Sequence, residues 1–83
     1  MATKKDPMLL ELGKYLRTLR EGRGWSQEEL AARCGLHRTY LGSVERAEYN
    51  LTLRSLRRIT DALGISLADA MGSISQRRPR RRR

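Results

Sequence analysis

Residues 27–46, QEELAARCGLHRTYLGSVER, contain two short amphipathic patterns separated by one glycine. The apolar residues of the first pattern recur at helical spacing and are Leu30, Ala31 and Cys34. The pattern stops at Gly35, which can adopt the positive φ that a sharp turn needs. In the second pattern Leu41 and Val44 share one side. This stretch therefore predicts two helices joined by a tight turn.

The second of these helices has two chemically different sides. At about 100° per residue, one arc of residues 38–46 holds Tyr40, Leu41 and Val44, and the other holds Arg38, Thr39, Gly42, Ser43 and Arg46. Arginine can donate two hydrogen bonds to guanine, and hydroxyl groups can contact several base edges. We expect Arg38, Thr39 and Ser43 to contact DNA bases in the major groove, and Gly42 to let the backbone approach the DNA. The alternative is that this polar face only contacts solvent.

Three further helical patterns flank this pair and predict an all-α fold of five helices. The first runs from Met8 to about Gly22, with a stripe formed by Leu9, Leu12, Leu16 and Leu19. Thr52 begins the fourth helix, whose stripe is formed by Leu53, Leu56, Ile59 and Leu63. Ser66 begins a short fifth helix, with Asp69 three residues later.

The start of the second helix carries a particularly complete signal. Ser26 and Glu29 have the spacing of a capping box, in which each side chain bonds the backbone of the other residue. Trp25 and Leu30 flank that cap at the spacing of a hydrophobic staple. The second helix is therefore expected to begin at Gln27, where exposed N–H groups and the helix dipole favour a phosphate.

Length and cysteine content exclude several classes of protein. Eighty-three residues allow one small domain, near the size at which dimerisation often adds stability. Neither a membrane span nor a secretory signal is evident, and the single Cys34 cannot form an internal disulfide, which fits a reducing cytoplasm. We interpret Cys34 as a small packing residue. Because no catalytic set, metal cluster or phosphate loop is present, we expect no enzyme, no metal, no cofactor and no small-molecule ligand.

Positive charge is concentrated at the end of the chain. The net charge is +9, and the arginines among residues 77–83 supply six of these charges, which leaves +3 for residues 1–76. Such an excess favours a polyanionic partner. We expect a flexible N-terminus over residues 1–7, one folded domain over 8–74 and a disordered basic tail over 75–83. The tail would add nonspecific DNA affinity, bind RNA or only increase solubility.

Together these residues resemble the lambda-repressor-like (Cro/phage-repressor, XRE) helix-turn-helix family. The resemblance covers about residues 8–72 and continues past the turn through the segment LRRITDALGISLADAM. The phrase GLHRTYLGSVER, followed by NLTL, is similar to the controller proteins of restriction–modification systems. The sequence departs from the family at Ala47 and Glu48, where relatives have glycine and a basic residue. Ala47 adopts a left-handed cap less freely than glycine, and Glu48 would repel a phosphate.

The resemblance implies a DNA-binding fold and further contacts. It favours phosphate contacts from Gln27, His37, Tyr40, Arg46 and Asn50, with a capping role as the alternative for His37. It also implies an ion pair between Arg20 and Glu45, although Arg20 could instead lie in solvent. The short fifth helix offers more apolar surface than it can readily bury. A homodimer interface is therefore expected at Leu67, Met71 and Ile74, unless these residues only close the core.

We expect a transcriptional regulator, either repressor or activator, that binds double-stranded DNA as a homodimer on a palindromic operator. A restriction–modification controller fits this description, and RNA polymerase would be a further partner of an activator through Glu28, Glu29 or Glu48. The alternative is an antitoxin-like module that binds a protein as well as DNA. A third class, RNA binding through the basic tail, would lose binding when residues 77–83 are deleted.

Overall fold

The computed structural model describes residues 5–74, which form five α-helices and no strand within that range. The helices are α1 (Pro7–Gly22), α2 (Gln27–Cys34), α3 (Arg38–Glu45), α4 (Leu53–Leu63) and α5 (Leu67–Gly72). The prediction of an all-α, five-helix fold is confirmed. The predicted disordered tail, 75–83, lies outside the described residues. Among the residues described, no helix combines the length and apolar character needed to cross a membrane.

The helix starts follow from capping side chains close in sequence. Ser26 and Glu29 form the predicted capping box, and α2 begins at Gln27 as expected. In α1 the carboxylate of Asp6 accepts the N–H of Met8, so the helix already begins at Pro7, inside the segment expected to be flexible. Proline suits this first position because its missing N–H would have no partner within the helix.

The core lies where the five helices meet. Helix α3 packs against α1 and α2, α4 packs against α2, and α5 packs against α1 and α4. The largest fully buried side chains are those of Leu16, Leu30, Leu41, Ile59, Leu63 and Thr60. Four of these are leucines from the predicted stripes, so hydrophobic periodicity identified most of the core.

One member of the predicted α4 stripe is not in the core. Leu53, the first residue of α4, is 64% exposed. Thr60 is fully buried instead, and its hydroxyl donates a hydrogen bond to the carbonyl of Arg57 at 3.1 Å. A local hydrogen bond of this kind removes most of the cost of burying a hydroxyl.

Helices α1 and α3 approach each other at Gly13. A Cβ placed on Gly13 would lie 2.7 Å from the carbonyl oxygens of both Val44 and Glu45. Real Cβ atoms do not approach backbone oxygens so closely. Glycine at this position therefore allows α1 to lie directly on the C-terminal end of α3, which fixes the orientation of α3.

Candidate nucleic-acid interface

The α2–α3 turn is built by Gly35 and two backbone hydrogen bonds. Gly35 has φ 70°, the left-handed conformation that the sequence predicted. The N–H of Leu36 donates to the carbonyl of Ala31 at 3.0 Å, and the N–H of Gly35 donates to that of Ala32 at 3.4 Å. These bonds satisfy carbonyls that the end of α2 leaves without a partner in the helix. The turn therefore sets the direction in which α3 leaves α2.

His37 caps the N-terminus of α3. Its Nδ1 accepts the N–H of Thr39 at 3.1 Å, so His37 has the capping role predicted as the alternative to a phosphate contact. His37 itself is exposed. The cap uses one ring nitrogen and leaves the other as the atom for the predicted phosphate contact.

The three predicted base-contacting residues lie on the accessible side of α3. Arg38 and Thr39 are exposed, and Ser43 is half-buried. The Ser43 hydroxyl donates to the carbonyl of Thr39 at 3.1 Å, so its proton is used within the helix. The remaining lone pairs of that oxygen can accept a hydrogen bond from the amino group of cytosine or adenine. The arrangement offers one long donor and two short hydroxyl groups.

Gly42 was expected to face open space, but it does not. It is buried, and a Cβ placed on it would lie 3.1 Å from Nη1 of Arg46 and 3.2 Å from Oε1 of Gln27. Its role in this structure is to leave room for those two side chains, which cover it. The expectation of a direct approach of the Gly42 backbone to DNA is therefore corrected.

A buried ion pair fixes α3 to α1. Arg20 Nε donates to Glu45 Oε2 at 2.7 Å and Nη2 donates to Oε1 at 3.0 Å, which confirms the predicted pair. The hydrogen bonds that Arg20 donates to the Glu45 carboxylate raise the pKa of Arg20 above its ordinary value. Gln27 Nε2 also donates to Glu45 Oε1, at 3.0 Å. The Glu45 carboxylate thereby joins the start of α2, the last turn of α1 and the end of α3.

The loop after α3 contains Ala47 in the strained left-handed conformation, which the sequence made doubtful. Ala47 has φ 61°, the only positive φ outside glycine among the described residues, and it is buried. The loop next to it carries Arg46, Glu48, Tyr49 and Asn50, all exposed. Arg46 Nε donates to Glu48 Oε2 at 3.1 Å. The side chain of Arg46 therefore lies against a carboxylate of its own chain.

The remaining phosphate candidates lie around α3. Tyr40 is half-buried, with its ring centroid 5.6 Å from that of the exposed Tyr49. Asn50 lines a cavity shared with Lys5 and Glu48. Sequence reasoning did not find Lys5, whose Nζ donates to the carbonyl of Arg46 at 2.6 Å across 41 positions of sequence. No local pattern predicts a contact over that separation.

The predicted dimer residues differ in their surroundings. Leu67 and Ile74 are half-buried and pack against the core of their own chain. Met71 is 48% exposed. Leu67 and Ile74 thus help to close the core of their own chain, and the dimer contact stays a prediction for which Met71 is the exposed residue of the three.

Cys34 is a buried packing residue, as expected. Its Sγ donates to the carbonyl of Leu30 at 3.0 Å. Burial raises the pKa of the Cys34 thiol to about 11. A thiol with so high a pKa is almost entirely protonated at neutral pH and reacts slowly.

Five short helices with an accessible third helix after a tight turn define a helix-turn-helix domain of the DNA-binding type. Residues 16–77 match the helix-turn-helix family of the Cro/C1, or XRE, type, and the chain belongs to that family. The predicted resemblance is confirmed. The family is one of DNA-binding regulators.

Several known proteins are similar to this chain. A hypothetical transcription factor of Neisseria meningitidis serogroup B is 47% identical over 55 residues, covering 66% of this chain and 52% of that protein. The chain thus spans about half the length of this relative. The restriction–modification controller protein C.AhdI from Aeromonas hydrophila has 40% identity and a TM-score of 0.73, covering 75% of this chain and 94% of that one. The controller C.Esp1396I, solved as a tetramer with its natural 35 base-pair operator, has 32% identity and a TM-score of 0.72, covering 78% and 86%.

Proposed function

We propose that this chain is a sequence-specific regulator of transcription that binds double-stranded DNA as a homodimer, in the manner of a restriction–modification controller. The supporting observation is the position of Arg38 and Thr39, exposed on the side of α3 that faces away from the core. Helix α3 is held in place by the buried Arg20–Glu45 pair. A fixed helix with accessible donors suits direct readout in the major groove.

In the proposed complex the two kinds of contact have separate roles. Arg38, Thr39 and Ser43 contact base edges and determine which sequence is bound. The phosphate contacts determine the register on the duplex and are made by Gln27, His37, Tyr40, Arg46 and Asn50. Gln27 would contact a phosphate while its amide remains bonded to Glu45. The start of α2 adds free backbone N–H groups that favour a phosphate at the same place.

The proposed homodimer explains how a DNA-binding surface with three base-contacting side chains per subunit achieves specificity. Two copies of α3 about 34 Å apart would meet successive major grooves on one side of the duplex. A two-fold dimer requires a roughly palindromic operator. The likeness to C.Esp1396I, a tetramer on a 35 base-pair operator, supports this assembly. The proposed dimer contact includes Met71, with Leu67 and Ile74 beside it.

An activating role would require RNA polymerase as a further partner. Glu28 and Glu29 are exposed in the first turn of α2. The Glu29 carboxylate already accepts the N–H of Ser26, so Glu28 is the stronger acidic candidate for that contact. Glu48, the third acidic candidate, is already engaged with Arg46. A regulator with these partners acts in the cytoplasm.

Selection of preferred sites from random duplex DNA tests the proposed function. We expect enrichment of two inverted half-sites with centres one helical turn apart, about 10 base pairs. Recovery of single-stranded or RNA ligands in competition, without any enriched duplex motif, would contradict the proposal. The same experiment with residues 77–83 deleted should recover the same motif, with binding that depends less on salt.

The exposure of Met71 also suits the second candidate, an antitoxin-like module that binds another protein through α5. The mass of the purified chain in solution separates the two. A dimer supports self-association through this surface, whereas a monomer at micromolar concentration favours a different partner.

A further inference from the structure

The side chain of Glu48 lies between two cations beside the proposed DNA-binding surface. Its Oε2 is 3.1 Å from Nε of Arg46 and 4.0 Å from Nζ of Lys5. Lys5 Nζ also donates to the backbone carbonyl of Arg46 at 2.6 Å. Two positively charged side chains, Arg46 and Lys5, therefore share one carboxylate, and either of them could otherwise meet a phosphate.

This arrangement contributes little to the stability of the fold. The side chains of Arg46, Glu48 and Lys5 are 53%, 44% and 44% exposed, and surface ion pairs of this kind stabilise proteins weakly. The hydrogen bond from Arg46 lowers the pKa of the Glu48 carboxyl, so Glu48 is ionised at neutral pH. The full negative charge is present when the protein meets DNA.

We propose that the Glu48 carboxylate occupies the place beside the Arg46 guanidinium at which a DNA phosphate would bind. In this way Glu48 lowers the affinity of the protein for every DNA duplex. Glu48 is a positioning residue that acts through Arg46. The inference rests on the proposed function, because Arg46 must contact a phosphate in the complex. It concerns the strength and the salt dependence of binding and leaves the choice of bases to α3.

The reason lies in the exchange of partners on binding. Arg46 must leave the Glu48 carboxylate to contact a phosphate, and the released carboxylate then attracts a cation from solution. That uptake offsets the counterion that the phosphate releases. Without the carboxylate, binding through Arg46 would release about one more counterion per subunit, with a correspondingly steeper dependence on salt. Phosphate contacts carry no sequence information, so the effect is equal on all duplexes.

The test compares Glu48→Gln with the wild-type chain on a duplex obtained by site selection and on a scrambled duplex of equal length. Removing an exposed pair should raise the affinity for both duplexes by a similar factor, up to about fivefold per subunit. The slope of log K against log salt should become steeper by about 0.9 per subunit. Asp61→Asn is the matched control, because it removes the same charge from an exposed arginine pair, Arg57–Asp61 at 3.4 Å, and should change neither quantity.

A double-variant cycle identifies the residue through which Glu48 acts. In an Arg46→Ala background, Glu48→Gln should change affinity by about twofold or less, because only Lys5 then remains as its partner. An equal gain in both backgrounds would show general repulsion of DNA and overturn the inference. Unchanged or weaker binding by Glu48→Gln alone would also overturn it, while wild-type preference for the selected duplex would leave the proposed function intact. A wild-type chain that prefers no duplex would contradict both.

Discussion

The guanidinium of Arg20 and the carboxylate of Glu45 form two hydrogen bonds, of 2.7 and 3.0 Å, across the contact between α1 and α3. Arg20 Nη1 also donates to the carbonyl of Trp25 at 2.7 Å, and Gln27 donates to Glu45. Both charged side chains are buried, with 9% and 2% exposure. The pair therefore links the loop before α2 to both ends of the helix-turn-helix unit, and the orientation of α3 depends on it.

Replacing Arg20 alone should strongly destabilise the protein. Arg20→Met leaves the buried Glu45 carboxylate with Gln27 as its remaining side-chain donor, and removal of one member of a buried pair costs about 3–5 kcal/mol. Urea unfolding followed by circular dichroism measures the loss. The double variant Arg20→Met with Glu45→Leu should recover most of it, because no unpaired charge then remains in the core.

An exposed ion pair between an arginine and a glutamate on the same helix provides the control. Arg17 Nε lies 3.0 Å from Glu21 Oε2, with side chains 60% and 53% exposed. Arg17→Met should cost at most about 1 kcal/mol. Equal losses for the two single variants would show that burial of the Arg20–Glu45 pair has no energetic consequence.

Gly13 should not tolerate alanine, although alanine normally favours a helix. Gly13→Ala would place its methyl group 2.7 Å from two carbonyl oxygens of α3, and α1 would have to move away. We expect a net loss of about 1–3 kcal/mol, as for other overpacked sites. Gly22→Ala, at the end of the same helix with nothing within 4 Å, should be neutral or stabilising by up to about 1 kcal/mol. Thermal unfolding of both variants checks the opposite signs, and stabilisation by Gly13→Ala would contradict the close packing.

Most features predicted from the sequence depend on neighbouring residues, whereas the Arg20–Glu45 pair, 25 positions apart, was predicted from the family resemblance. The Ser26–Glu29 capping box and the left-handed Gly35 each follow from a few adjacent positions, and both are observed. Hydrophobic periodicity located most of the core, with Leu53 as an exception, because an amphipathic helix buries one stripe. The close approach at Gly13 and the contact of Lys5 with Arg46 join residues far apart in sequence. Such contacts follow from how the helices pack, which no local pattern specifies.

Ala47 shows where local propensity is overridden by the rest of the fold. The sequence made a left-handed cap doubtful, because a side chain raises the energy of that conformation. Ala47 nevertheless has φ 61°. Its N–H donates to the carbonyl of Val44 at 3.0 Å, the N–H of Glu48 donates to that of Ser43 at 2.8 Å, and the Ala47 methyl group is buried. These contacts offset the cost of the backbone conformation.

Met71 and Met8 offer a matched test of the proposed homodimer interface. Both side chains are 48% exposed, Met71 in α5 and Met8 at the start of α1. Met71→Glu should shift the chain from dimer to monomer, because a buried carboxylate without a partner opposes association. Met8→Glu adds the same charge outside the proposed interface and should leave the dimer intact. Sedimentation equilibrium measures both masses, and a dimeric Met71→Glu variant would place the interface elsewhere.

The separate roles proposed for Arg38 and Arg46 predict different losses of affinity on different duplexes. Arg38 is exposed on the outer side of α3, where it can reach base edges, whereas Arg46 lies after that helix beside Glu48. Arg38→Ala should cost about 1–3 kcal/mol on the selected duplex and much less on a scrambled one. Arg46→Ala should weaken both duplexes by a similar factor, because phosphate contacts position the protein without distinguishing bases. Fluorescence anisotropy titrations at fixed salt measure the four affinities. An equal loss for Arg38→Ala on both duplexes would assign Arg38 to the phosphate backbone, and Thr39 and Ser43 would then be the base contacts to test.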